Sequence, residues 1–517
     1  MLNKCFCATC IGVDAVIVTV EVDLSKGVGI HLVGLPDSAV RESLLRVVTA
    51  LNSYGFHVPG QRLVVNLAPA DIRKEGSAYD LAIALGILAV SEQIPVENSE
   101  QYIIMGELAL DGRLRTVPGA LPVALQARSE GFRYCIFPTE SAQEAADVDG
   151  LAIYGVSTLA EAIEVLTRQE DYERLRVRKP SGDGTFQPHL NDFRQVRGQQ
   201  VAKRGLEIAA AGGHNILLVG APGSGKSLMA SCLPSILPPM TREEAIETGK
   251  IYSVAGQGRG VAGLMRERPF RSPHHSASLV SLIGGGQNAA PGEISLSHNG
   301  VLFLDEIAQF SRTLLDSLRQ PLEDGKVTIS RAKYKVVYPA HFMLVASMNP
   351  CPCGYYGDPG GRCTCTRGAV DGYLARLSGP MMDRIDLQIW VRSLSAAELL
   401  GLANPDSTLP PEEDSRTIAA RVQAARAIQE RRFADEGIFT NAAMSARLIE
   451  RYCALTVECR RTLEKILERM GLSARAYTRI LKVARTIADL AAEPAIQPAH
   501  LLEAAGFRFL DRKRMVD

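Results

Sequence analysis

The chain has 517 residues, 46% of them hydrophobic, and its 57 Lys/Arg are balanced by 57 Asp/Glu. That length predicts about three soluble globular domains, and 11 cysteines are too few for a disulfide scaffold. No apolar run is long enough for a membrane helix, and Met1-Leu2-Asn3-Lys4-Cys5 lacks the layout of a signal peptide, so a cytoplasmic protein with no membrane partner is expected.

Residues 1–168 alternate β-like runs (Ala15 to Val20, Leu63 to Leu67) with helical patterns such as Leu81 to Leu88, predicting one α/β domain. The Arg-, Gly- and Pro-rich stretch 169–190 reads as a linker. Residues 191–394 then carry strand-like segments at 216–219, 301–304, 342–347 and 385–391, separated by helical or inserted material, as in a parallel sheet with helices on both faces.

The first of these segments runs into Gly220-Ala221-Pro222-Gly223-Ser224-Gly225-Lys226-Ser227, the P-loop pattern G-x-x-x-x-G-K-[ST]. Its glycines let backbone amides close on nucleotide phosphates, Lys226 reaches the β/γ oxygens, Ser227 holds Mg²⁺, and the helix that follows turns its positive end to the anion. Val301-Leu302-Phe303-Leu304-Asp305-Glu306 has the form of a Walker B strand: Asp305 joins the Mg²⁺ shell and Glu306 polarises the water that attacks the γ-phosphate of ATP. The next strand ends at Met348-Asn349-Pro350, which puts the Asn349 amide at the carboxyl edge of the sheet, where it orients that water.

Two further features lie around these motifs. Lys326 to Tyr338 reads as two alternating strands around a short turn, and Lys326, Arg331, Lys333 and Lys335 make it basic; it is either a grip on nucleic-acid phosphates or a solvated edge. Cys351, Cys353, Cys363 and Cys365 form C-x-C-x₉-C-x-C on a turn-rich loop, four thiolates suited to structural Zn²⁺. His274 and His275 lack a third ligand at metal-site spacing. Residues 395–517 are almost continuously helical after a Pro/Asp/Glu-rich connector, and from Arg416 onward 19 Lys/Arg stand against 12 Asp/Glu, an excess of +7 that is compatible with a polyanionic partner.

Strand order and the residue at Asn349 resemble AAA+ ATPases, in which that place is sensor 1. The resemblance implies that Val196 and Gly198 flank the adenine, that Arg384 in Met382-Asp383-Arg384-Ile385 is an arginine finger for a neighbouring subunit, and that Arg475 in Leu472-Ser473-Ala474-Arg475 is sensor 2. Arginine suits both places, because its planar fork stabilises charge spread over phosphoryl oxygens. The strings Arg268-Pro269-Phe270-Arg271-Ser272-Pro273-His274-His275-Ser276 and Pro291-Gly292-Glu293-Ile294-Ser295-Leu296-Ser297-His298-Asn299-Gly300 resemble the magnesium-chelatase-like branch of that class, specifically the ComM/YifB family, across essentially the whole chain. Membership would imply an insertion that interrupts helix 2 and projects toward a ring pore, a pre-sensor-1 hairpin at 326–338, a homo-hexamer, and a DNA helicase that drives branch migration in recombination and natural transformation.

Lys74-Glu75-Gly76-Ser77-Ala78 and Gly106 to Arg113 resemble the Lon-protease domain. On those strings the nucleophile position holds Ala78 and the position of the activating lysine holds Leu121, so a noncatalytic Lon-like domain is expected at 1–168. The fold class that results is α/β: a Lon-like domain, a parallel-sheet P-loop domain and a helical C-terminal domain. Alternative readings are a magnesium-chelatase-type motor for porphyrin metalation, and a Lon-like regulatory or protease-related module.

Overall fold

The computed structural model describes residues 2–96, 98–169, 171–179, 191–258, 263–286, 288–330, 335–357, 360–393, 412–471 and 474–511. Arg331, Lys333, the second half of the expected linker and most of the expected connector lie outside these residues.

The N-terminal unit is a seven-stranded sheet in the spatial order Ile30–Val33, Arg62–Ala68, Asp14–Ser25, Leu2–Ile11, Tyr102–Ile104, Tyr134–Pro138 and Ala152–Val156. Period-two patterning explains its register: Leu63, Val65 and Leu67 are wholly buried, while the residues between them are partly open. The helix Asp80–Val90 is apolar on every side, so it has no solvent face; all its residues except Ala89 are buried. Residues 171–179 of the stretch read as a linker are bound to this unit. Tyr172–Leu175 forms a 3₁₀ turn, and the Val177 N–H donates to Ile153 O at 2.8 Å beside the edge strand.

The second sheet has five strands in the order Phe270–Arg271, Val301–Leu304, Met343–Met348, Ile216–Gly220 and Leu387–Val391, all parallel. Continuous apolar runs suit strands covered on both faces, and Val301–Leu304 and Ile216–Gly220 are buried throughout. Parallel strands point their carboxyl ends to one edge, so the P-loop, the acid pair and Asn349 emerge side by side.

The helices Ser415–Arg432, Ala446–Tyr452, Val457–Met470, Ala474–Leu490 and Pro498–Gly506 share a core with one face of this sheet. A polar hub fixes them. The buried ring of His214 meets Asp386 Oδ2 through Nδ1 at 3.0 Å and Thr486 Oγ1 through Nε2 at 2.8 Å. Arg479 pairs with the other oxygen of Asp386. Burial opposes charge on Asp386, but Arg479 and His214 outweigh it and hold the carboxyl well below the usual range. The chain then returns to the outer strand: Gln388 N–H donates to Phe507 O at 2.7 Å, and Leu510 N–H donates to Gln388 Oε1 at 2.8 Å.

The two α/β units meet along the helix Arg242–Val254, which begins with a capping box between Thr241 and Glu244. At its far end Ser253 O accepts from Gly119 N–H at 3.0 Å, and Ser253 Oγ accepts from Leu121 N–H at 3.3 Å and donates to Glu144 Oε2 at 2.6 Å. A Cβ on Gly249 would stand 2.8 Å from the Leu121 side chain, so the two surfaces are in direct contact.

Candidate active site

The P-loop begins where Ile216–Gly220 leaves the sheet. Gly220 lies against the Val391 carbonyl with no room for a side chain, whereas Gly223 and Gly225 adopt φ of 75° and 88° and a Cβ there would meet nothing within 4 Å. The result is an open backbone cradle of the kind phosphates fill. The Ser224 hydroxyl within it is buried and has no hydrogen-bond partner.

Lys226 opens the helix Lys226–Cys232 and folds its ammonium back under the loop. It donates to Gly220 O at 2.8 Å, to Ala221 O at 2.9 Å and to Asn349 Oδ1 at 3.4 Å. Burial lowers its pKa, and the charges of Asp305 and Glu306 oppose that shift. Ser227 Oγ donates to Asp305 Oδ2 at 2.8 Å. The two expected Mg²⁺ residues therefore touch, and with the cradle they form a donor set that fits Mg²⁺ and a nucleoside triphosphate. Mg²⁺, when bound, neutralises phosphate charge, and Ser227 and Asp305 are the residues that would hold it.

Glu306 is exposed and adopts φ 51° and ψ 49°, a left-handed conformation that costs a non-glycine residue about 1 kcal/mol or more. Ser347 fixes it there. Its hydroxyl donates to Asp305 Oδ1 and accepts from the Glu306 N–H, the latter at 3.1 Å. Sequence reading missed Ser347, a wholly buried hydroxyl whose partners stand on the next strand.

The remaining expected residues fall in other places. Val196 is buried in the core, and Gly198 N–H is taken by Glu412 Oε1 at 2.6 Å. Arg384 is paired with Glu323 and donates to Pro380 O at 2.5 Å, and its Nε is buried without a partner. Arg475, with its side chain 72% exposed, is paired with Asp383. Neither arginine hydrogen-bonds to the P-loop of its own chain. Lys326 and Lys335 lie on the exposed face of a two-stranded hairpin, Lys326–Ser330 against Lys335–Pro339, whose other face buries Val327, Ile329, Val336 and Tyr338.

The four loop cysteines come together, with all four Sγ atoms within 4.8 Å of one another. Cys351 Sγ lies 3.3 Å from Cys353 Sγ and 3.8 Å from Cys363 Sγ. A tetrahedral zinc site with Zn–S of about 2.3 Å has sulfur–sulfur edges of about 3.8 Å, so the donor set fits. Backbone N–H groups of Tyr355 and Thr364 pull the Cys353 thiol down to about 6, while at Cys365 the pull of the Cys353 backbone N–H is outweighed by the adjoining Cys353 sulfur and the thiol rises to about 11, so the four thiols differ in how readily they would give up a proton. Among the described residues no other group of three His, Cys, Asp or Glu is placed to share an ion, His274 and His275 included.

A five-stranded parallel sheet with a P-loop, an acid-tipped strand one place removed from it and the Asn349 strand between the two defines the nucleotide-handling core of a P-loop ATPase of the AAA+ type. Three family profiles match in succession: magnesium chelatase subunit ChlI over residues 192–399, subunit ChlI of Mg-chelatase over 20–141, and the magnesium chelatase subunit ChlI C-terminal region over 412–508. YifB of Salmonella typhimurium is 44% identical over 504 residues, 97% of this chain and 96% of the relative. Competence protein ComM of Haemophilus influenzae is 44% identical over 503 residues, with the same coverage. Lon protease 2 of Bacillus subtilis is 27% identical over 128 residues, 25% of this chain and 23% of its own. The chain belongs to the ComM/YifB family of magnesium-chelatase-like AAA+ proteins, for which ATP and Mg²⁺ are the implied cofactors.

Proposed function

We propose that this protein is a Mg²⁺-dependent ATPase that acts as a homo-hexameric ring, translocates on DNA and promotes branch migration during recombination and natural transformation. The observation that carries the reading is the convergence of Lys226, Ser227, Asp305, Glu306 and Asn349 at one sheet edge. In this reading Lys226 holds the β/γ oxygens, Ser227 and Asp305 hold the metal, Glu306 draws a proton from the attacking water, and Asn349 orients that water. Arg384 serves the neighbouring subunit's site, and its pairing with Glu323 marks it as a residue that must be released to act. Arg475 works in cis once Asp383 lets it go. Val196 and Gly198 border the adenine.

DNA as the partner is supported by the exposed lysines of the hairpin, by the relative named competence protein ComM, and by the basic C-terminal part. Lys326, Arg331, Lys333 and Lys335 would grip phosphates without reading sequence. The N-terminal unit is proposed as a noncatalytic Lon-like domain. Ala78 and Leu121 offer no nucleophile or ammonium, Ser77 is bonded to Glu107, and the Lys74 ammonium is buried against the Pro69 and Ile72 carbonyls. The cysteine cluster is proposed as a structural Zn²⁺ site, and the protein as cytoplasmic.

The test is ATP hydrolysis by the purified full chain without DNA and with single-stranded, duplex or four-way DNA, together with movement of a four-way junction. DNA should raise turnover and the junction should migrate in an ATP-dependent way. Turnover indifferent to all three DNAs, with a static junction, would overturn the reading. A chelatase motor is a second reading, because all three matching profiles are described as magnesium chelatase, including the one over the N-terminal unit. It requires ATP-dependent Mg²⁺ insertion into a porphyrin in the presence of partner subunits.

A further inference from the structure

The cysteine loop leaves the sheet directly after Asn349, and its path brings it back onto the nucleotide site. Gly354 is buried with φ 87°, and a Cβ there would lie 2.7 Å and 2.8 Å from two ring carbons of Pro222, the middle of the P-loop. The same position is 4.0 Å from the Asn349 side chain. The loop backbone thus rests on the P-loop at a place where only glycine fits. Cys351 is 1% exposed and anchors the near end: its carbonyl accepts from Gly354 N–H at 3.0 Å and its sulfur from Tyr356 N–H at 3.3 Å. On the far side Gly357 presses on Trp390, where a Cβ would meet the indole at 2.9 Å. Trp390 is the sole tryptophan of the chain and belongs to the strand beside the P-loop strand.

We propose that the metal-bearing loop is a clamp on the ATP site: metal held by Cys351, Cys353, Cys363 and Cys365 keeps Gly354 seated on Pro222 and keeps Asn349 beside Lys226, so metal occupancy sets ATP affinity. This rests on the zinc reading of the cluster. The short segment between Asn349 and Cys351 leaves little slack, so a loop fixed by four sulfurs fixes the amide, and a loop released from metal frees it. Gly354 is then a positioning residue for nucleotide binding.

The experiment uses the full-length protein, its metal content, the emission of Trp390 and the dissociation constant for ATP. Gly354→Ala should retain its metal yet bind ATP at least about tenfold more weakly, because the added methyl overfills a fitted contact. Gly361→Ala is the control: Gly361 sits in the same loop at φ 63°, but a Cβ there meets nothing within 4 Å, so this variant should bind ATP as the native protein does. Stripping the metal from native protein with a chelator should shift Trp390 emission and weaken ATP binding by a similar factor, and added Zn²⁺ should restore both. Purified protein that holds no metal and shows no emission change on Zn²⁺ addition would overturn the zinc reading. Protein that holds metal but binds ATP equally well after stripping, or as Gly354→Ala, would overturn the clamp and leave the zinc site standing.

Discussion

Lys226 carries most of what a single residue can contribute here. Its ammonium is already seated beneath the loop, so Lys226→Ala removes a pre-positioned charge and should abolish ATP turnover, as measured by phosphate release. Glu306→Gln keeps shape but cannot take a proton. It should bind ATP and lower kcat by about 10²-fold or more, and a variant with native kcat would remove Glu306 from the role of base. These residues were legible in the sequence because phosphate chemistry fixes both their type and their spacing. Ser347 was not, since its work depends on two strands lying side by side: it bonds to residues on the neighbouring strand's tip, a relation that spacing along the chain does not record.

Among the elements, the hairpin shows how alternation sorts function from packing. Val327, Ile329, Val336 and Tyr338 seat it on the domain and leave Lys326 and Lys335 outward. Replacing both lysines with alanine should weaken DNA stimulation of the ATPase and flatten the dependence of log affinity on log salt by about two phosphate contacts. An unchanged salt slope would mean that the lysines only solvate an edge. The same sorting applies at Leu121, which lies 3% exposed against Gly249 on the helix Arg242–Val254. Leu121→Lys would force a longer, charged side chain into the contact with Gly249, beside Glu144, and should cost about 2 kcal/mol, read as a lower midpoint in urea. Strands and long helices were legible from apolar periodicity. The bound course of residues 171–179 was not, because Arg- and Glu-rich chain reads as solvent-facing even when its backbone pairs with an edge strand.

For the whole molecule, the contact between the ATPase sheet and the C-terminal helices depends on charge. Asp386 ionises below its ordinary value of 3.8 in the folded state, so its contribution is complete above that value and drains away as the pH falls beneath it. Asp386→Asn should therefore lower stability by about 3 kcal/mol at pH 7 and by clearly less at pH 3. Thermal melts of the native and variant proteins at both values measure this, and an equal gap at the two would count against it. The division into α/β, parallel-sheet and helical parts was legible from motif order. The hub was not, because His214, Asp386, Arg479 and Thr486 come from distant stretches in which each reads as an isolated polar residue.

The return of Phe507 and Leu510 to Gln388 also has a temporal meaning. A ribosome delivers the P-loop strand early, yet the outermost strand of that sheet gains its last hydrogen-bonding partners only after those two residues have been synthesised. During most of its synthesis the ATPase sheet therefore lacks these partners along the flank formed by Leu387–Val391. A chain stopped after Gly506 should behave like that unfinished species, with the strand Leu387–Val391 cut by protease at concentrations the intact protein withstands.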